Sequence, residues 1–247
     1  MIEQYSARPY LRAPSIDPTG SRIAFVYAGD IWLVAADGGR AARLTAHPAS
    51  HMLPRWSPDG AAIACTSTRT GQGDVYVLPL DGGEIRRLTY HDTQSAVECW
   101  SPEGDAIYFT SQRERQGTAI YRVAISGGTP ICWIAQPYER LGTVAVSPCG
   151  CWIAFSLLRD PWWRRGPNPY GGAELWLASN APDADDFRKL SDAPGLNYCP
   201  LWTPDSRLIY FVSDRDGVEN LWVVPRDGGV AARVTSFRDG RLLWPSI

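Results

Sequence analysis

Ser57-Pro58-Asp59-Gly60 and Ser101-Pro102-Glu103-Gly104 are two copies of one turn. Asp17-Pro18-Thr19-Gly20, Ser147-Pro148-Cys149-Gly150 and Thr203-Pro204-Asp205-Ser206 are three more. Successive copies start 40, 44, 46 and 56 residues apart, the spacing of a four-stranded propeller blade. An apolar run follows each turn: Ile23-Ala24-Phe25-Val26, Ile63-Ala64-Cys65, Ile107-Tyr108-Phe109, Ile153-Ala154-Phe155 and Ile209-Tyr210-Phe211-Val212. β-Branched and aromatic runs bounded by turn residues read as strands. A second aromatic run comes next, as in Ile31-Trp32-Leu33-Val34 or Leu221-Trp222-Val223. Asp-Gly-Gly at 37–39, 81–83 and 227–229, or Ser126-Gly127-Gly128, then supplies a hairpin turn into a last short strand such as Arg86-Arg87-Leu88-Thr89.

Each copy therefore reads as strand a, Pro-Asp-Gly turn, strand b, loop, strand c, Gly-Gly turn, strand d. A lone blade leaves both faces wet, whereas blades packed around an axis bury them. The expectation is an all-β propeller forming a single domain over 1–247. Its blades fall near 10–46, 50–90, 94–135, 141–191 and 197–236, with 240–247 as the first strand of a sixth. The last assignment rests on Leu242-Leu243-Trp244-Pro245-Ser246-Ile247 aligning with Leu11-Arg12-Ala13-Pro14-Ser15-Ile16. It predicts an open or truncated six-bladed ring, or a fragment of a longer protein. Trp56, Trp100 and Trp202 before the a–b turns, and Trp32, Trp176 and Trp222 in strand c, are expected to pack between blades.

Composition narrows the function classes. The 247 residues are 45% hydrophobic, enough for a large core, and the formal net charge of −2 gives no nucleic-acid footprint. No apolar stretch approaches a membrane span, and residues 1–20 lack a secretory h-region, so a cytoplasmic location is expected. The six cysteines show no Cys-x-x-Cys spacing; Cys149-x-Cys151 on a turn is the one close pair. No nucleophile elbow, phosphate-binding loop or zinc-helix motif occurs, so no catalytic residue, metal ligand or cofactor is assigned. His47 and His91, each following a Leu-Thr pair, read as one loop feature written twice, and His51 is expected in the same d–a loop.

Two features point to binding. Arg69, Arg113 and Arg215 open the b–c loops of three blades, and Arg159 lies near the same point of the fourth. Their structural reading is pairing with backbone or with acidic loop residues such as Asp74 and Asp216. Their functional reading is a cationic ring that attracts a peptide carboxylate. The second feature is an insertion, Leu157 to Ala173, that lengthens the b–c loop of blade four on the same face. Trp162 and Trp163 with Arg164, Arg165 and Tyr170 make an aromatic, basic surface of the type that anchors protein contacts, or else pack back on their own blade.

The repeat resembles that of the TolB, tricorn protease and dipeptidyl peptidase IV propellers. The insertion is narrower. Arg159-Asp160-Pro161-Trp162-Trp163-Arg164-Arg165 followed by Tyr170-Gly171-Gly172-Ala173-Glu174-Leu175-Trp176 is similar to a Trp-Lys-x-Tyr-x-Gly-Gly stretch in the first propeller of tricorn-type serine peptidases. Phe187-Arg188-Lys189-Leu190, Ser213-Asp214-Arg215-Asp216-Gly217 and Val234-Thr235-Ser236-Phe237 extend the similarity, while the Pro-rich Gly166-Pro167-Asn168-Pro169 departs from it. The resemblance implies a six-bladed, non-catalytic propeller that filters or guides peptides to a protease chamber, with the remaining domains of a longer peptidase as partners. A stand-alone TolB-like interaction module is the alternative, and a propeller lyase the third. Exposed blade faces would favour a homo-oligomer.

Overall fold

In the computed structural model, residues 10–113, 117–136, 139–159, 172–191 and 194–247 are described. Five antiparallel four-stranded sheets follow one another along the chain, and each is built from one contiguous stretch. Blade one comprises β1 (Arg12–Ile16), β2 (Arg22–Tyr27), β3 (Asp30–Ala35) and β4 (Ala42–Arg43). Blade two comprises β5 (His51–Trp56), β6 (Ala62–Ser67), β7 (Asp74–Pro79) and β8 (Arg86–Arg87). Blade three holds β9 (Ser95–Trp100), β10 (Ala106–Ser111), β11 (Ala119–Ala124) and β12 (Ile131–Ile134). Blade four holds β13 (Arg140–Val146), β14 (Trp152–Arg159), β15 (Gly172–Ser179) and β16 (Arg188–Lys189). Blade five holds β17 (Asn197–Trp202), β18 (Leu208–Ser213), β19 (Asn220–Pro225) and β20 (Ala232–Arg233).

Side chains alternate across a strand, so each middle strand feeds two different cores. On β10, Ile107 and Phe109 pack toward blade two, while Tyr108 packs toward blade four. On β14, Ile153, Phe155 and Leu157 face blade three, and Ala154 faces blade five. The four large apolar clusters among the described residues occupy the four junctions between consecutive blades. Indole N–H groups tie these junctions: Trp56 Nε1 donates to the Ser15 carbonyl (2.9 Å), Trp100 Nε1 to that of Arg55 (2.9 Å), and Trp202 Nε1 to that of Ala145 (3.0 Å). Each bond crosses from one innermost strand to the one before it.

A backbone hydrogen bond adds to every junction. His51 N–H donates to Gly29 O (2.7 Å), Ser95 N–H to Gly73 O (2.8 Å), Leu141 N–H to Thr118 O (3.0 Å) and Ala173 N–H to Gly195 O (3.1 Å). At the blade three–four junction the chains approach so closely that a Cβ on Gly117 would collide with the Glu139 carbonyl oxygen.

Two sequence expectations need correction. Residues 242–247 form no strand, because no second strand of a sixth blade stands beside them to complete a ladder. The segment is held instead by single contacts: Tyr198 Oη donates to Leu242 O (3.0 Å), Leu242 N–H to Glu219 Oε2 (2.7 Å), and Ile16 N–H to Ser246 Oγ (3.0 Å). His51 is not a loop residue; it opens β5, paired with Ser67 of β6, and is buried against blade one through its bond to Gly29 O.

Candidate channel and loop-face site

The first strand of each blade is innermost. Ser15, Arg55, Glu98, Val144 and Leu201, one from each inner strand, line a central cavity of about 540 Å3, and Trp244 to Ile247 close its remaining side. These inner strands share a local distortion. Their pairing with strand b slips in all five blades. In four of them a non-glycine residue takes a left-handed φ at the slip: Ala13 (48°), Leu53 (53°), Thr143 (27°) and Cys199 (54°). A β-bulge re-aims the side chains beside it, and here it bends each inner strand at the channel wall. Leu53, Thr143 and Cys199 all line the cavity. Trp244, at the position matching Ala13 in the repeat, has φ 52° and lines it too.

The channel carries one opposed charge pair. Arg55 Nε donates to the backbone carbonyl of Glu98 (2.7 Å) and Nη1 to that of Pro54 (3.1 Å). The Glu98 carboxylate accepts from Thr110 Oγ1 (3.0 Å) and Val144 N–H (3.2 Å). Burial against the channel wall pushes this carboxyl above the usual range, although Arg55, Thr110 and Val144 all pull it down. With Trp56, Trp100 and Trp244 around it, the cavity is aromatic, with one acid and one base in its lining.

The arginines foreseen for the loop face stand at the b–c end of their blades, where each reaches back to the first residue of its own inner strand. Arg69 Nε donates to His51 Nε2 (3.3 Å). Arg113 Nη2 donates to Ser95 Oγ (2.8 Å), with its guanidinium over Phe109 and Tyr121. Arg215 Nη2 donates to Asn197 Oδ1 and Ser191 Oγ (both 2.8 Å), and its guanidinium lies over Phe211 and Trp222. The hydrogen-bond acceptors are imidazole, hydroxyl and amide groups, not the carboxylates of Asp74 and Asp216. Asp74 is taken by Arg87, and Asp216 pairs with Arg233 (3.5 Å). Arg159 ends β14, opposite Gly172. Trp162, Trp163, Arg164, Arg165 and Tyr170 lie outside the described residues.

The two loop histidines share one geometry: Ala49 N–H donates to His47 Nδ1, and Thr93 N–H to His91 Nδ1, each at 3.1 Å. Among the described residues, no group of three or more His, Cys, Asp or Glu side chains is placed to hold a metal ion.

A clasp between strands c and d escaped the sequence reading. Asp30 accepts from Thr45 Oγ1 (2.8 Å) and Arg43 Nη2 (2.5 Å), while Thr45 Oγ1 also accepts from Ile31 N–H (3.0 Å). Asp74, Arg87 and Thr89 repeat it in blade two. Glu174 with Lys189, and Asn220 with Thr235, are its variants in blades four and five. The signal was present in the Arg-Leu-Thr ends of strand d, but the acid lies thirteen residues upstream of the arginine.

Five consecutive four-stranded blades whose inner strands line one bulge-lined channel define a β-propeller of the tandem-repeat type. The family of the tricorn protease N-terminal β-propeller domain matches residues 8–247, and the chain belongs to that family. It is 33% identical over 240 residues to tricorn protease homolog 1 of Streptomyces coelicolor (strain ATCC BAA-471 / A3(2) / M145), which covers 95% of this chain and 22% of that protein. The chain thus spans about a fifth of that relative. The crystal structure of the tricorn protease superposes with a TM-score of 0.76 at 22% identity, covering 96% of this chain and 23% of that one. TolB from Acinetobacter baumannii gives 0.76 at 22% identity, covering 98% and 58%. These two likenesses establish a common fold.

Proposed function

We propose that this chain is the non-catalytic propeller region of a tricorn-like serine peptidase and guides peptides toward a protease chamber. The observation that carries the reading is the family match across residues 8–247, joined to a central cavity lined by inner strands of every blade. The channel is the path, Arg55 and Glu98 orient the backbone and termini of a passing peptide, and the loop-face arginines with Trp162, Trp163 and Tyr170 bind it as it enters.

The test is fluorescence anisotropy with labelled extended peptides against the purified chain. Binding without hydrolysis is expected. Weakening by Trp162→Ala with Trp163→Ala would assign the entry contacts, and weakening by Glu98→Gln would assign the channel. Peptide cleavage that survives purification would overturn the non-catalytic reading, and absence of binding would overturn the conduit.

A stand-alone TolB-like interaction module is the second reading, favoured because TolB superposes on this chain as closely as tricorn does. Reading the gene beyond Ile247 separates them. A continuing frame with a serine peptidase domain supports the first, and a stop after a sixth blade the second.

A further inference from the structure

The a–b turn is built in the same way around the ring, with an anion at its centre. In blade two, Asp59 Oδ1 accepts from Ser57 Oγ (2.5 Å) and from Ala61 N–H (3.0 Å). In blade five, Asp205 Oδ1 accepts from Thr203 Oγ1 (2.5 Å) and from Arg207 N–H (3.0 Å). Blades one and three use Asp17 and Asp105 against the same turn. Blade four has no carboxylate there. Cys149 stands at the position of Asp59 and Asp205, with Ser147 Oγ 3.3 Å from its sulfur. The Ser147 oxygen accepts from Trp152 N–H (3.0 Å), just as Ser57 Oγ accepts from Ala62 N–H while donating to Asp59, so a thiolate at Cys149 takes the place of that carboxylate as acceptor. The Cys151 N–H, counterpart of those of Ala61 and Arg207, is the second donor.

The geometry points to Cys149 as a thiol-exchange site, with Cys151 as its resolving partner, for small disulfides of the glutathione class. A cradle that holds a carboxylate in the sister turns will hold a thiolate for the same reason: a hydroxyl and an N–H converge on the charge. The Ser147 hydrogen bond, aided by Cys151 N–H, lowers this thiol to about 7, whereas burial pushes Cys65, Cys99 and Cys199 up to about 12. Access agrees, since Cys149 and Cys151 are the two exposed cysteines of the six. In the first step the Cys149 thiolate attacks one sulfur of the small disulfide. Its S–S bond breaks, a mixed disulfide forms on Cys149, and one small thiolate leaves and takes a proton from water. In the second, deprotonated Cys151 attacks the Cys149 sulfur, closing a Cys149–Cys151 disulfide and releasing the second small thiol. Two protein thiols are oxidised and one small disulfide is reduced to two thiols.

The test measures iodoacetamide alkylation of the intact chain against pH, resolved by peptide mass, together with incubation in oxidised glutathione. Cys149 should titrate with a midpoint near pH 7 and, at that pH, react roughly three- to fourfold faster than an unperturbed exposed thiol. Glutathione should remain on Cys149 in Cys151→Ser and give way to the internal disulfide in the parent chain. Cys149→Asp restores the turn of blades two and five, so it should keep the melting temperature and lose the fast-reacting thiol. A Cys149 midpoint at the ordinary value of about 8.5, or a fast thiol that survives in Cys149→Asp, would overturn the assignment.

Discussion

Asp74 shows how much one repeated side chain carries. It is buried, and it accepts from Arg87, Thr89 and Thr70. Removing it strands an arginine and two hydroxyls, so Asp74→Ala should cost about 2–4 kcal/mol in denaturant unfolding. Blade three supplies the natural control. There the three clasp positions read Ala119, Cys132 and Ile134, all apolar and aligned by strand register. The combined variant Asp74→Ala, Arg87→Cys and Thr89→Ile should therefore recover part of that loss: it removes the stranded arginine and one hydroxyl and Thr70 keeps Tyr76 Oη, but Val75 N–H loses its bond to Thr89. The carboxylates also set the acid limit. Burial alone would raise Asp17 and Asp30. Hydrogen bonds from Arg22, Ser21 and Thr19 to the first, and from Thr45 and Arg43 to the second, outweigh it and hold both below the usual range. A depressed carboxylate stabilises the fold at pH values above its unfolded pKa of about 3.9, and that contribution is lost as pH falls through the folded value. The share of the melting temperature that Asp17 and Asp30 supply should be constant above about pH 5 and be lost below about pH 4, and Asp17→Asn should shallow that fall.

Most elements were legible because their signals are local. The Pro-Asp-Gly turns, the alternating apolar runs and the Gly-Gly hairpins each lie within ten or so residues; all five blades form where they predict, with Asp183-Ala184-Asp185-Asp186 in place of the Gly-Gly turn in blade four. The tryptophans before the turns were legible as inter-blade residues, but not the carbonyl that each would find. That partner lies 41, 45 or 57 residues away on the preceding inner strand. Trp100→Phe keeps the packing and removes the bond to Arg55 O, so about 1 kcal/mol of stability should go. The inner-strand bulges were illegible for a different reason: Ala13, Leu53, Thr143 and Cys199 share no residue type. Their left-handed backbone is imposed by the channel, not by propensity. Gly117 is the converse, a residue whose necessity appears only when the next blade arrives beside it. Gly117→Ala should force the blade three–four junction apart and lower the melting temperature, whereas Gly127→Ala, with open space around its Cβ, should cost only its backbone strain.

At the scale of the molecule the decisive asymmetry lies between blades one and five. Consecutive inner strands pack β1 on β5, β5 on β9, β9 on β13 and β13 on β17, and each of those junctions owns a core cluster. The outer face of blade one has no such partner. Ile23, Phe25 and Trp32 are only half-buried, while Ile63, Ile107, Ile153 and Ile209, the counterparts of Ile23, are fully buried. On blade five Tyr210, Leu221 and Val223 are similarly half-buried. In a quasi-one-dimensional array, stability is a sum of unit and neighbour contributions, so a unit with one neighbour opens before a unit with two. Amide hydrogen exchange should accordingly be slowest in β10 and β14 and faster in β2, β3, β18 and β19. The contacts of 241–247 to Glu219, Tyr198 and Ile16 span the gap at the channel wall. Glu219→Gln should speed exchange at Leu242 without touching β10. Repeating the measurement at two protein concentrations separates two sources of protection. If the half-buried faces of blades one and five pair between molecules, their protection will rise with concentration while that of blade three stays fixed. Equal protection in all five blades at the lower concentration would mean that the ring closes in solution, and the gap between blades one and five would then not be an edge at all.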